Sequence, residues 1–172
     1  QHLEIVSGSQ GMLQSNTNSP NAREILVTNA EFFDLGAFSL LRGTFGLWNM
    51  QAGARYDQRS INTFEANNPF SETFDGVNYS IGVSRSSNTF TTRLNISSGY
   101  RPPHISELLA NGVHHGTNQY LTGDVNLVSE RANQIDLYLG MHRDHLEIIV
   151  NPFINQINKF TYLNPTGQFD SI

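Results

Sequence analysis

Strict alternation of apolar and polar side chains with a period of two runs through most of this chain. It constrains the fold more than any other feature. From residue 74 to 85, Val77, Tyr79, Ile81 and Val83 share one parity, and Asn78, Ser80, Gly82 and Ser84 occupy the other. From residue 89 to 100, Phe90, Leu94 and Ile96 oppose Arg93, Asn95 and Ser97. Trp48, Met50, Ala52, Ala54 and Tyr56 likewise oppose Asn49, Gln51, Gly53, Arg55 and Asp57, and Ile135, Leu137, Leu139 and Met141 oppose Gln134, Asp136 and Tyr138. Successive side chains of a strand point to opposite sides, so each segment is a strand with one greasy and one wet face. A further strand around Phe33–Leu41 and weaker ones at the two ends bring the expected number to about seven, with no helix longer than a turn or two.

The connections carry an equally regular signal. Tight links are expected at 42–46, 86–88 and 142–145, and long ones at 14–30, 58–73 and 101–129, so short and long alternate. Long structureless loops are uncommon in compact domains. An up-and-down membrane barrel, by contrast, has short turns at one end and long loops at the other. The expected fold is therefore all-β, an antiparallel up-and-down meander with a lipid-facing side. Tyr56, Phe74, Tyr100, Phe160 and Tyr162 fall near the strand ends, where an interfacial aromatic girdle belongs.

Composition removes other classes. The net charge is −5 and only Lys159 is a lysine, which argues against nucleic acid as a partner. No cysteine is present, so disulfides, thiolate metal sites and cysteine nucleophiles are excluded. With no phosphate-binding glycine loop, HExxH or GxSxG motif, the chain does not read as an enzyme. The runner-up reading is a soluble all-β module that holds a glycan or lipid and buries its apolar parity in one compact core.

One loop holds residues with ligand chemistry. His114 and His115 lie with His104 and Asp124 in the 101–129 connection, and imidazoles with carboxylates can capture zinc, copper or nickel. Neighbouring histidines on an extended chain point apart, so both reach one ion only where the loop turns. Arg101-Pro102-Pro103 with Glu107 reads as structural: proline ends strand pairing and turns the chain over the rim. Ser106 to Ala110 is then expected to form one helical turn. Asp34, Arg55, Arg85, Arg93 and Asp136 are assigned to the wet face.

The segment after the fifth strand makes a resemblance specific. Gly99-Tyr100-Arg101-Pro102-Pro103-His104-Ile105-Ser106-Glu107-Leu108 resembles the G-[FY]-R-x-P-x-x-x-E-L block of TonB-dependent outer-membrane receptors. Asn111-Gly112-Val113-His114-His115-Gly116-Thr117, Gly123-Asp124-Val125-Asn126-Leu127 and Ser129-Glu130-Arg131 follow in the order of that family's NGxHxGT and GNPNLKPERS runs, with Asp136 at the final Asp. Asp124-Val125 and Val128-Ser129 depart from the usual Asn-Pro and Lys-Pro. Upstream, Ala52-Gly53-Ala54-Arg55-Tyr56-Asp57 is similar to the family's A-G-x-R-Y-D strand.

The resemblance implies a parent barrel of 22 strands around an N-terminal plug. Residues 1–172 would then supply about a third of its wall, without the plug or the closing strand. It also implies residence in the outer membrane, contact with the TonB complex through the plug, and energised uptake of a scarce solute. A transition metal or metal chelate leads, followed by a siderophore or haem. No resident cofactor is implied; the metal, zinc or another transition metal, would be cargo. The wet face would line the lumen, His114 and His115 would make first capture, and the two open sheet edges would invite pairing with another copy.

Overall fold

In a computed structural model, residues 2–22, 24–64 and 69–167 are described. Residues 65–68 of the expected 58–73 connection lie outside them. The elements are β1 (His2–Asn16), β2 (Ala30–Phe45), β3 (Trp48–Thr63), β4 (Ser71–Ser86), β5 (Phe90–Arg101), α1 (Ile105–Leu109), β6 (Asn111–His114), β7 (Gln119–Thr122), β8 (Glu130–Arg143), β9 (Leu146–Val150) and β10 (Phe153–Asn158). β1 to β5 pair antiparallel in chain order, β5 pairs with β8, and both β9 and β10 pair with β8. β6 and β7 form a separate hairpin inside the 101–129 connection.

β9 and β10 are one strand with a proline in it. Arg143 faces Leu146 and Arg131 faces Asn158, and the register between them does not slip. The Leu137 N–H donates to the Pro152 carbonyl at 3.0 Å, but proline has no N–H to return to Leu137. That single missing donor splits the ladder. The meander therefore has the expected seven strands.

The register sorts the side chains into rows that cross the whole sheet. Ile5, Leu41, Ala52, Ile81, Ile96, Ile135 and Ile154 stand opposite one another across the seven strands. One residue along, the row is Glu4, Arg42, Gln51, Gly82, Asn95, Asp136 and Phe153. The apolar row is uncovered: Ile5 is 67% exposed, Ile81 57% and Ile154 70%. A soluble module would bury that row under a second layer, so the compact-core expectation does not describe this chain.

Bulky side chains that interrupt the polar face are laid over glycines. Phe38 stands across from Gly8, and its ring occupies the space a Cβ there would need; Leu40 stands across from Gly53, its Cδ1 a tight 3.3 Å from where a Cβ would lie. Tyr138 lies over Gly140 and Tyr100 over Gly76. Glycine in a strand commonly marks such a close approach.

The buried apolar cluster lies at the long-loop end, on the otherwise polar face. Ala30, Phe32 and Ile61 come from β2 and β3, and Ile105 and Leu108 of α1 settle onto them. Apolar residues thus stand uncovered along the band outside, and the buried cluster inside lies at this rim. The expected 58–73 connection is shorter than read, because β3 runs to Thr63 and β4 starts at Ser71.

Candidate functional site

Strand parity puts a row of polar side chains on one face, and that face is concave. A hollow of about 740 Å³ is lined from β1 to β10 by polar-row residues, among them Glu4, Arg42, Arg93, Asn95 and Asp136. The Arg93 guanidinium lies 5.1 Å from the centre of the Tyr138 ring, and Asp136 accepts a hydrogen bond from Gln134 Nε2 at 2.7 Å. Arg42 approaches Glu4 at 3.9 Å.

Nearer the long loops a second hollow of about 290 Å³ is lined by Asp34, Arg55, Asp57, Arg59, Tyr100 and Pro102. Arg59 forks onto Asp34, with Nε and Nη2 each 2.7 Å from a carboxylate oxygen. Arg55 Nε donates to Asp57 at 2.6 Å, and Asn78 donates to the other Asp57 oxygen at 2.9 Å. These charges are held in pairs, so the face presents ordered donors and acceptors with little net field. Asp34, Arg55, Arg93 and Asp136 stand on this face. Arg85 does not: it shares the parity of Val83 and lies over the Trp48 ring at 5.7 Å, on the apolar side. The wet-face assignment of Arg85 is corrected by strand parity alone, since 85 is an odd position like 77, 79, 81 and 83.

At the rim, Arg101 joins four stretches of chain. It donates to Glu130 at 2.7 and 3.0 Å and to Glu107 at 3.1–3.2 Å. Glu130 also accepts from the Thr161 N–H at 2.6 Å, and Glu107 from the His104 N–H at 2.7 Å. These groups lie beyond the apolar band on the loop side. Hydrogen bonds from Arg101, and next the one from Thr161, outweigh burial and hold the Glu130 carboxyl down to about 2. Its bonds to Glu130, and next those to Glu107, raise Arg101 above the ordinary guanidinium range. Pro102 and Pro103 carry the chain from β5 into α1, and Pro103 is fully buried there.

The four candidate metal ligands are not gathered in one place. His104 caps α1, its ring Nδ1 accepting from the Ser106 N–H at 3.3 Å. Asp124 closes a turn by accepting from the Asn126 N–H at 2.9 Å. His114 and His115 are at the tip of the β6–β7 hairpin. His114 Nδ1 lies 3.1 Å from Thr117 Oγ1, while His115 Nε2 lies 3.0 Å from Glu24 Oε2. Among the described residues no three histidine or carboxylate side chains converge as a metal centre.

Glu24 belongs to the 17–29 connection, which docks on the hairpin: the Asn111 N–H donates to the Leu26 carbonyl at 3.0 Å. Reasoning from sequence missed Glu24, because its partner stands some ninety positions along the chain. It also missed Arg59 and Glu130. Arg59 was findable, since it shares the polar parity of Arg55 and Asp57.

The family described as "TonB dependent receptor-like, beta-barrel" matches residues 7–172. No curated protein matches the chain. Among solved structures, the chain is similar to "Copper transporter OprC", with a TM-score of 0.70 and 16% identity. The match covers 92% of this chain and 28% of that one, so the chain spans little more than a quarter of its length.

Proposed function

Because this chain belongs to the TonB-dependent receptor β-barrel family, we propose that it is wall and rim of an outer-membrane receptor that takes up a transition metal or metal chelate. Energy would come from the TonB complex through a plug seated against the concave polar face. The observation that carries the reading is the two-faced sheet: an uncovered apolar row outside, a row of ordered polar groups inside. That is the arrangement of a wall between lipid and a wet lumen.

The hairpin tip supports the metal reading. His115 and Glu24 offer two donors 3.0 Å apart, with His114 next in the chain. A bare zinc ion is usually held by four ligands, so two or three donors suit a metal that arrives partly chelated. The similarity to a copper transporter favours the same class of cargo. His104 and Asp124 have structural partners and take no part.

The test is titration of the intact receptor with copper and zinc, free and chelated, followed by calorimetry. Replacing His114 and His115 together by Ala should weaken binding at least tenfold, on the order of two metal–ligand contacts. Unchanged affinity for every form would remove the hairpin from the site.

A further inference from the structure

The apolar face of the sheet is not uniformly charged at its two ends. Among the described residues, the charged side chains on that parity are Glu31, Asp75 and Arg131 toward the long loops, and Arg85 and Arg143 toward the short turns. Arg131 is engaged, donating to the Val77 carbonyl at 2.8 Å and to Ser98 Oγ at 3.1 Å. Arg85 and Arg143 have no carboxylate within ion-pair distance among the described residues. The turn end of the apolar face therefore ends in two uncompensated cations, and between the two ends the band carries no charge.

Arg85 is also shaped for a ligand. Its guanidinium lies over the Trp48 ring at 5.7 Å from the ring centre, and among the described residues no hydrogen bond takes up its N–H donors. Trp48 stands at the end of the apolar run that reaches Tyr56 along β3. Eight steps at about 3.4 Å span about 27 Å along the strand. At a tilt of about 40° that is about 20 Å of height, close to the apolar band of a membrane barrel. Arg85 thus lies where acyl chains give way to headgroups, and Phe45 and Phe90 are exposed on the same face.

We propose that Arg85, stacked on Trp48, binds the phosphate of an anionic phospholipid in the leaflet on the short-turn side, with Arg143 as a second cation on that rim. An arginine fork pairs with phosphate through two parallel N–H donors, and the indole supports it from the apolar side. Charge complementarity selects this occupant over a neutral lipid or a second copy of the chain, whose own turn end would bring cations to cations. The proposal rests on the outer-membrane reading above.

The experiment uses the intact receptor, reconstituted in nanodiscs made from equal amounts of phosphatidylcholine and phosphatidylglycerol. Heat-shifted electrophoretic mobility reports a folded barrel, and mass spectrometry counts the lipid that stays bound. Phosphatidylglycerol should be enriched, and Arg85→Gln should cut that enrichment by about fivefold. Glu31→Gln, at the other end of the same face, should leave it unchanged. Arg85→Lys keeps the charge without the planar stack, so it should fold as the wild type and retain only part of the enrichment. Wild-type enrichment in Arg85→Lys or Arg85→Gln, or equal retention of both lipids by the inserted wild type, overturns the assignment. A receptor that does not insert at all overturns the outer-membrane reading, and this proposal with it.

Discussion

Glu130 is the residue on which the rim closes. Its carboxylate takes two bonds from Arg101 and one from the Thr161 N–H, and it is 8% exposed. A group whose folded value is lowered from 4.5 to about 2 stabilises the folded rim above the unfolded value. That contribution is lost as pH falls through the folded value. Docking of the 101–129 connection should therefore hold at pH 5 and loosen between about pH 4.5 and 2. Amide hydrogen exchange across residues 105–122 would follow it. Glu130→Gln should cost about 1–3 kcal/mol at neutral pH, because Arg101 loses its charged partner, and should flatten that acid limb. An acid limb that survives in Glu130→Gln would assign it to another carboxylate.

At the scale of elements, α1 decides where the longest loop sits. Leu108 is 1% exposed against the Phe32–Ile61 cluster, and His104 and Glu107 cap the helix reciprocally. Gly123 passes so close behind it that an added Cβ would stand 2.5 Å from the Leu108 carbonyl. Gly123→Ala should push α1 off the sheet, and Leu108→Ala should cost about 2–4 kcal/mol of docking energy. Limited proteolysis of the intact receptor should then cut within 101–129 while the strands stay protected; cleavage no faster than in the wild type would mean that the loop is not held by this cluster. Much of this element was readable in advance: two prolines end β5, and the turn was expected at Ser106 to Ala110, against the observed Ile105–Leu109. The β6–β7 hairpin was not, since four-residue strands leave too little periodicity to read. Phe32 and Ile61 were hidden for a related reason: they are apolar on the wet parity, and only the arrival of α1 from elsewhere explains them. His115 with Glu24 needs two loops to meet, which no local pattern records. Arg85 differs from all of these, because its side of the sheet was already written in the odd numbering of its own strand.

For the whole molecule, the question is which solvent each face meets, and two adjacent residues decide it. Ile96 lies mid-row between Ile81 and Ile135 on the uncovered face, and Ser97 lies between Ser80 and Gln134 on the concave one. Backbone, strand and depth are shared; only the facing differs. If the apolar face meets lipid, Ile96→Arg places a charge near the bilayer midplane and should cost about 2–4 kcal/mol. Ser97→Arg stays on the polar side of the wall, so it should cost well under about 1 kcal/mol, as surface changes do. Denaturant titration of the intact receptor folded into lipid vesicles measures both. Comparable costs for the two variants would place the same medium on both faces, and the wall reading would fall. A large cost at Ile96 with none at Ser97 separates lipid from lumen across a single peptide bond, which is what the period-two alternation encodes.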